Sequence, residues 1–280
     1  MKNKTNRKAG LWARMAVVPH SVWVMMFIIA PLLFVAYYAF TDRNGAFTLD
    51  NITSLTYYGN TFLMSVCFSL IATAICLLIG YPLAYFMSKT SAKMQMLLMI
   101  LLMLPMWVSL LIRTYSLMAL LDNGGIISTF IQKLGGSKLT FIGTDAAVIL
   151  GMIYDFLPYM VLPIFTSMTK IDKSYIEAAQ DLGCSGFKVM TSVIMPLTVP
   201  GVISGITMVF VPSISTFYIS QKLGGGSFDL IGDTIERQFQ NVSTYHTGAA
   251  ISLVMMILIL VSLSVMDRFT DGDQEGGIIV

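Results

Sequence analysis

Residues 170–200 read KIDKSYIEAAQDLGCSGFKVMTSVIMPLTVP, a polar island between two long apolar stretches. Ser174, with Glu177 three residues later, has the form of a capping box, in which hydroxyl and carboxylate satisfy the unpaired N–H groups at a helix start. Gly183 supplies the left-handed stop about two turns on. The island is therefore expected to hold one short, water-exposed helix from Ser174 to Gly183. Ala178 and Ala179 leave its backbone nearly bare, so a second surface can approach closely. An ordinary capped connector between two spans would show the same local signals.

The flanks of the island set the solvent for the rest of the chain. Of the 280 residues, 56% are hydrophobic and only 11% charged. The mean hydropathy is +0.77, which places the chain among membrane proteins. Crossing the hydrocarbon takes about 20 apolar helical residues. Six stretches qualify, at 17–40, 62–87, 94–121, 145–168, 199–220 and 247–266. This is an all-α, polytopic arrangement with both termini on one face.

Basic residues choose the face. Lys2, Lys4, Arg7, Lys8, Arg14, Lys89, Lys93, Lys170, Lys173, Lys188 and Arg268 fall with the termini and the island, and Arg43, Lys133, Lys138, Lys222 and Arg237 fall opposite. An excess of Lys and Arg marks cytoplasmic segments, so the termini and the island are expected inside the cell. Three segments follow: 1–16 cytoplasmic, 17–266 the six-span domain, and 267–280 an acidic cytoplasmic tail, expected to be disordered. The first apolar run is longer than a leader's apolar region and has no small-residue cleavage site, so it is expected to remain as the first span.

Within the spans, Pro31 invites a kink and Pro212 a break, the latter followed by Ser213 to Tyr218 as a candidate cavity lining. The external segments are expected to be turn-rich at Asn44-Gly45 and at Tyr58-Gly59-Asn60, with a short amphipathic piece near 126–134. Arg113 and Asp155 are the costly residues, since a charge at mid-membrane costs about 2.5–3.5 kcal/mol. Counted from the outer ends of their spans they lie at depths of roughly 12 and 15 Å, so they can meet. Two compatible roles follow, a neutralising pair that fixes packing and a wet path for a solute.

Around Asp155, Tyr154, Phe156 and Tyr159 add aromatic faces, and Trp107 and Tyr115 stand in the third span. Carboxylate and ring faces together suit an organic cation, although membrane aromatics also serve as interface belts or core. Trp107, Arg113, Tyr115, Asp155, Tyr159 and Tyr218 are the candidate path residues.

Much chemistry is unsupported by the sequence. The two histidines, His20 and His246, have no metal-ligand spacing, and Cys67, Cys76 and Cys184 read as small packing residues rather than ligands or disulfide partners. There is no GxxxxGK[ST] phosphate loop and no nucleophile paired with a base, so the chain reads as a non-enzyme without a cofactor. A net charge of +2 gives no case for nucleic acid; membrane lipid is the expected medium.

The spacing Glu177-Ala178-Ala179, Gly183, then Val193-Ile194-Met195-Pro196 resembles the EAA loop of membrane subunits of ABC importers, with Val193 and Met195 replacing Ile and Leu of the usual pattern. Gly80 to Tyr85, Leu104 to Tyr115, Leu157 to Pro163 and Phe217 to Ser220 resemble the B-type permeases of spermidine/putrescine importers. That resemblance implies the type I importer permease fold, pairing with a second homologous permease, a cytoplasmic ATPase dimer that supplies the energy, and an extracytoplasmic polyamine-binding protein. It also implies that Ser174, Glu177, Ala178, Ala179, Asp181 and Gly183 belong to a helix seated in the ATPase. Import of another small solute, or secondary transport, is the alternative.

Overall fold

The structure, a computed structural model, describes residues 11–125, 128, 129, 133, 141–226 and 228–275. Five helical runs among the described residues are long and apolar enough to cross a membrane: Val18–Ala39, Asp50–Ser88, Asp145–Thr169, Gly186–Ser215 and Val242–Met266. A sixth, Ala92–Trp107 with Leu110–Leu121, qualifies only as a pair bent by 94°. The chain divides into two packing units.

The first unit is the chain up to Thr56 together with Arg237–Met256. Helices α1 (Leu11–Val24) and α2 (Ala30–Ala39) are joined by a π-helical turn, Met25–Ile29, that ends just before Pro31. The Ala30 N–H bonds to Met25 O, five residues back, so one extra residue is fitted in ahead of the ring that has no N–H to give. A small hairpin follows, with a bridge between Thr41 and Phe47. Asp42 Oδ1 accepts the N–H groups of Asn44 and Ala46, and Gly45 takes the left-handed conformation at φ +79° that the turn requires. Then comes α3 (Asp50–Thr53). Ala39, Ala249 and Ala250 form the small core, and His246 Nδ1 lies 3.1 Å from Tyr38 O.

The second unit holds α4 (Gly59–Ser88), α5 (Ala92–Met103), α6 (Leu110–Leu121), α7 (Asp145–Thr169), α8 (Lys173–Asp181), α9 (Gly186–Val189), α10 (Met195–Ser215) and α11 (Tyr218–Leu223). The helix α12 (Ile231–Gln240) begins in it, and α13 (Tyr245–Glu275) ends in it. Its core is a triple packing of α4, α7 and α10, made close by small residues. On α4 the buried stripe is Ser65, Ser69, Thr73, Cys76, Gly80 and Ala84. Each of the three hydroxyls donates to the carbonyl four residues earlier, so the polar groups are satisfied inside their own helix.

On α10 the small residues are Gly201 and Gly205, four apart. A Cβ on Gly201 would stand 2.2 Å from Ser167 Oγ and 2.7 Å from Pro163 O, and one on Gly205 would stand 2.8 Å from Met160 Sδ. This is the small-xxx-small contact by which membrane helices gain dispersion attraction that lipid does not supply. Tyr81 and Thr198 add a hydroxyl pair at 3.0 Å between α4 and α10.

These contacts fix directions. Cys76 meets Ile153 and Gly80 meets Met160 and Val161, so α4 and α7 advance the same way; Gly201 meets Ser167 while Gly205 meets Met160, so α10 runs against α7. A chain that leaves the end of α4 must return to the other side before it can enter α7. The bent pair α5 and α6 therefore crosses the bundle, and the third span is a broken one rather than a loop that dips in and returns.

Several expectations are corrected. The third span is not one straight helix: α5 passes into a 3-10 turn, Leu104–Trp107, with Pro105 in its first positions, and Val108 and Ser109 are extended. Pro212 does not break the fifth span, because α10 continues to Ser215 and the chain turns extended at Thr216. Of the run meant to line a cavity, Ser213, Ile214 and Thr216 are buried inside the chain, whereas Ser215 and Phe217 are exposed. Tyr58-Gly59-Asn60 is no turn but the start of α4, and α13 stays helical through Glu275, where a disordered tail was expected. The amphipathic piece near 126–134 lies largely outside the described residues.

Candidate functional site

The short helix of the polar island is present as α8, and its start differs from expectation. Its N-cap is Asp172, whose Oδ1 accepts the Ser174 N–H at 2.9 Å, so Ser174 lies inside the helix and no capping box with Glu177 forms. That backbone hydrogen bond, together with the Ser174 side chain, holds the Asp172 carboxyl below the usual carboxylate range. Glu177 is consequently not consumed by capping, and it is exposed.

The stop is as expected. Gly183 has φ +79°, the Cys184 N–H reaches Ala179 O at 3.1 Å, and the Gly183 N–H reaches Gln180 O at 2.8 Å, the two bonds of a Schellman motif. One face of α8 looks inward: Ile176 is half-buried and lines a cavity of about 540 Å³ with Tyr85, Lys89, Met168, Lys173 and Ile194. The other face is free. Tyr175, Ala178 and Leu182, spaced three and four apart, stand exposed with Phe187 beyond them; Leu182 is 85% and Phe187 80% exposed. Ala179 is half-buried and Asp181 exposed.

The end of the motif has its own structural role. A second π turn, Met190–Ile194, precedes Pro196 just as the first precedes Pro31, with the Met195 N–H bonded to Met190 O. From Gly186 the chain thereby runs without a coil into α10, while the Gly183 stop and the non-helical Cys184 and Ser185 set α8 off from that run.

The path candidates separate into groups. Arg113 Nη1 lies 3.1 Å from Asp155 Oδ1 and donates to Asp155 O at 3.3 Å, while Thr114 Oγ1 donates to Asp155 Oδ2 at 3.4 Å. Both charged residues are buried, Arg113 at 7% and Asp155 at 0% exposure. Asp155 Oδ1 and Arg113 Nε have no directed hydrogen bond, so the pair holds by charge more than by fork geometry. Being one turn from the start of α6 also places Asp155 near the positive end of that helix.

Tyr115 and Tyr218 form the second group, meeting edge to face with centroids 5.9 Å apart. Lys222, on α11, sets its Nζ over both rings. Tyr159 is half-buried beside Phe156 at 6.4 Å, and Trp107 on the 3-10 turn is 79% exposed. Among the described residues no three His, Cys, Asp or Glu gather as metal ligands. Of the cysteines Cys76 is core packing, whereas Cys67 is exposed on α4 rather than packed.

Residues 77–272 match the family described as binding-protein-dependent transport system inner membrane component. The chain belongs to that family. The match takes in α5 through nearly all of α13, so the break, the ion pair and the island all lie inside it. The chain is an inner-membrane, multi-pass permease component, and transport by its family depends on a binding protein, as the description says.

Two relatives carry a more detailed name. The chain is 38% identical over 256 residues to the spermidine/putrescine transport system permease protein PotB of Escherichia coli, covering 88% of this chain and 93% of that one. It is 36% identical to the Haemophilus influenzae protein of the same name, covering 88% and 90%. A solved structure of a bacterial ABC transporter involved in the import of the acidic polysaccharide alginate superposes with a TM-score of 0.73 at 18% identity, covering 92% of this chain and 96% of that one. At that identity the likeness speaks for the fold.

Proposed function

We propose that this chain is the permease subunit of an ATP-driven importer of polyamines, that it forms half of the translocation path with a second, homologous permease, and that it couples through α8 to a cytoplasmic ATPase. One observation carries the path. Val108 and Ser109 are extended and exposed, beside exposed Trp107, midway in the broken third span between α5 and α6. Irregular backbone at that depth cannot face lipid, because its N–H and C=O groups would go unpaired; it is tolerated only against protein or a water-filled cavity. This face therefore meets the second permease and the path, and Trp107, Tyr115 and Tyr218 line it. Arg113 and Asp155 hold α6 on α7, and Tyr159 backs that contact.

Coupling follows from the exposed face of α8. Tyr175, Ala178 and Leu182 offer an apolar stripe with a small residue at its centre, fit for a cleft in a soluble partner, and Glu177 and Asp181 add charge at the rim. Ser174, Ala179 and Gly183 shape and end the helix. By the excess of Lys and Arg, this face, residues 1–16 and residues 267–280 are cytoplasmic. ATP is hydrolysed in the partner, whose closure pushes α8 and, through the tight turn at Gly183 and the helical run from Gly186 into α10, rocks the bundle. An extracytoplasmic polyamine-binding protein delivers the substrate at the opposite end.

The polyamine assignment rests on the identity to proteins named for spermidine and putrescine. The test is uptake of labelled spermidine and putrescine by cells with and without this gene. Uptake lost on deletion and restored on complementation is the expected result. Unchanged polyamine uptake with loss of another solute would assign a different cargo, and uptake that persists in vesicles stripped of the ATPase would overturn ATP coupling.

A further inference from the structure

The ammonium of Lys222 has an unusual setting. Its Nζ lies 5.4 Å from the ring centroid of Tyr115 and 5.6 Å from that of Tyr218, and the two rings stand at 79° to each other. Both distances are within the roughly 6 Å over which a cation is drawn to a ring face. The buried ion pair of the bundle, Arg113 with Asp155, leaves Lys222 out. Two aromatic walls, contributed by different helices, face this one charge.

The platform under this seat is fixed, and its occupant is mobile. On α11, Ile219 and Leu223 are buried, with Leu223 Cδ1 only 2.4 Å from where a Cβ on Gly151 would be, so the helix is locked against α7. Tyr115 is 47% exposed, and Tyr218 and Lys222 are half-buried, so the rings are reachable from outside the chain. Lys222 can leave by rotating its own side chain; no backbone need move.

A lysine head is a primary ammonium on a methylene chain, which is also the terminal group of putrescine and spermidine. We propose that Tyr115 and Tyr218 form a seat for the terminal primary ammonium of the transported amine, and that Lys222 is a tethered occupant which the substrate displaces. This rests on the polyamine reading above. A tethered competitor keeps the seat weak, and once displaced its charge remains close enough to repel the guest. A transport site needs both, since cargo must enter and also leave.

The test is equilibrium binding of radiolabelled spermidine to the assembled permease pair with its ATPase, in nanodiscs and without the binding protein. Lys222→Met is expected to bind roughly ten-fold tighter than wild type, the scale of one or two released cation–ring contacts. Lys222→Gln, a second neutral variant, is expected to do the same, and Lys222→Arg to stay near wild type. Adding Tyr218→Leu to Lys222→Met is expected to abolish the gain, which separates the seat from a general loss of positive charge. Equal binding by wild type and both neutral variants overturns the proposal, as does a gain that survives Tyr218→Leu. Spermidine uptake by the wild-type complex with its binding protein is measured alongside. If wild type imports spermidine while the neutral variants bind no tighter, the seat alone falls; if wild type neither imports nor binds it, the polyamine reading falls too.

Discussion

Arg113 and Asp155 meet across α6 and α7 at 3.1 Å, each almost wholly withdrawn from solvent. The contact begins three residues into α6, on the far side of the 94° bend. A helix that restarts in mid-membrane after two extended residues needs something to fix where it lands. The ion pair does this, and the Thr114 hydroxyl assists, its one proton shared between the carbonyl of Leu110 at 2.9 Å and Asp155 Oδ2 at 3.4 Å.

Removing one partner should therefore cost more than removing both. Asp155→Asn leaves a buried guanidinium uncompensated, a loss on the order of 3–5 kcal/mol. Assembled complex and uptake are both expected to fall. Arg113→Gln with Asp155→Asn is expected to recover both, measured by size-exclusion yield and labelled uptake. A double variant that assembles normally yet does not transport would instead put Asp155 in contact with the cargo.

Glu177 stands exposed on α8 and takes no part in its cap. Glu177→Lys is expected to leave thermal stability within about 0.5 kcal/mol of wild type, as surface changes do. Uptake should drop severalfold while ATP hydrolysis continues, both followed in proteoliposomes. Normal uptake by this variant would remove Glu177 from the coupling surface.

Gly201 and Gly186 make a matched pair. A Cβ at Gly201 meets Ser167 Oγ at 2.2 Å and Pro163 O at 2.7 Å, whereas at Gly186 it meets nothing within 4 Å. Gly201→Ala is expected to destabilise by about 1–3 kcal/mol, the usual range for overpacking. Gly186→Ala is expected to be near neutral. Thermal melts in detergent that rank the two alike would contradict the close packing of α7 and α10.

Asp233, at the start of α12, is 4% exposed, with its Oδ2 accepting the Leu230 N–H and its Oδ1 unpartnered. Burial lifts its carboxyl to about 6, against the opposing pull of Ser220 and the Leu230 N–H. Because the acid is weaker in the folded chain, its contribution favours folding below its unfolded range and is lost as pH rises through about 6. Asp233→Asn should thus melt higher than wild type at pH 7.5, and the gap should narrow by pH 5 and close only below about pH 4. A gap that is the same at both values would show that this carboxylate is comfortably charged.

The spans and the island were legible in the sequence because both depend on local composition: about 20 apolar residues make a span in any context, and Gly183 ends a helix by its own backbone freedom. The N-cap was misjudged by two residues, since Asp172, Ser174 and Glu177 each offer a capping oxygen and only the chain's path into α8 decides among them. Gly201 and Gly205 form a readable four-residue spacing, but its meaning depends on which helix lies opposite.

What the sequence determined alone was the solvent, the number of crossings and the exposed helix between the fourth and fifth. Tertiary structure decided the rest. The break at Val108 and Ser109 turns on how helices lean together, the meeting of Arg113 with Asp155 joins residues 42 positions apart, and the placing of Lys222 over Tyr115 joins α11 to α6, only Tyr218 being its neighbour in sequence. Periodicity reports which face of a helix is apolar, but close packing between helices settles which charge finds which partner.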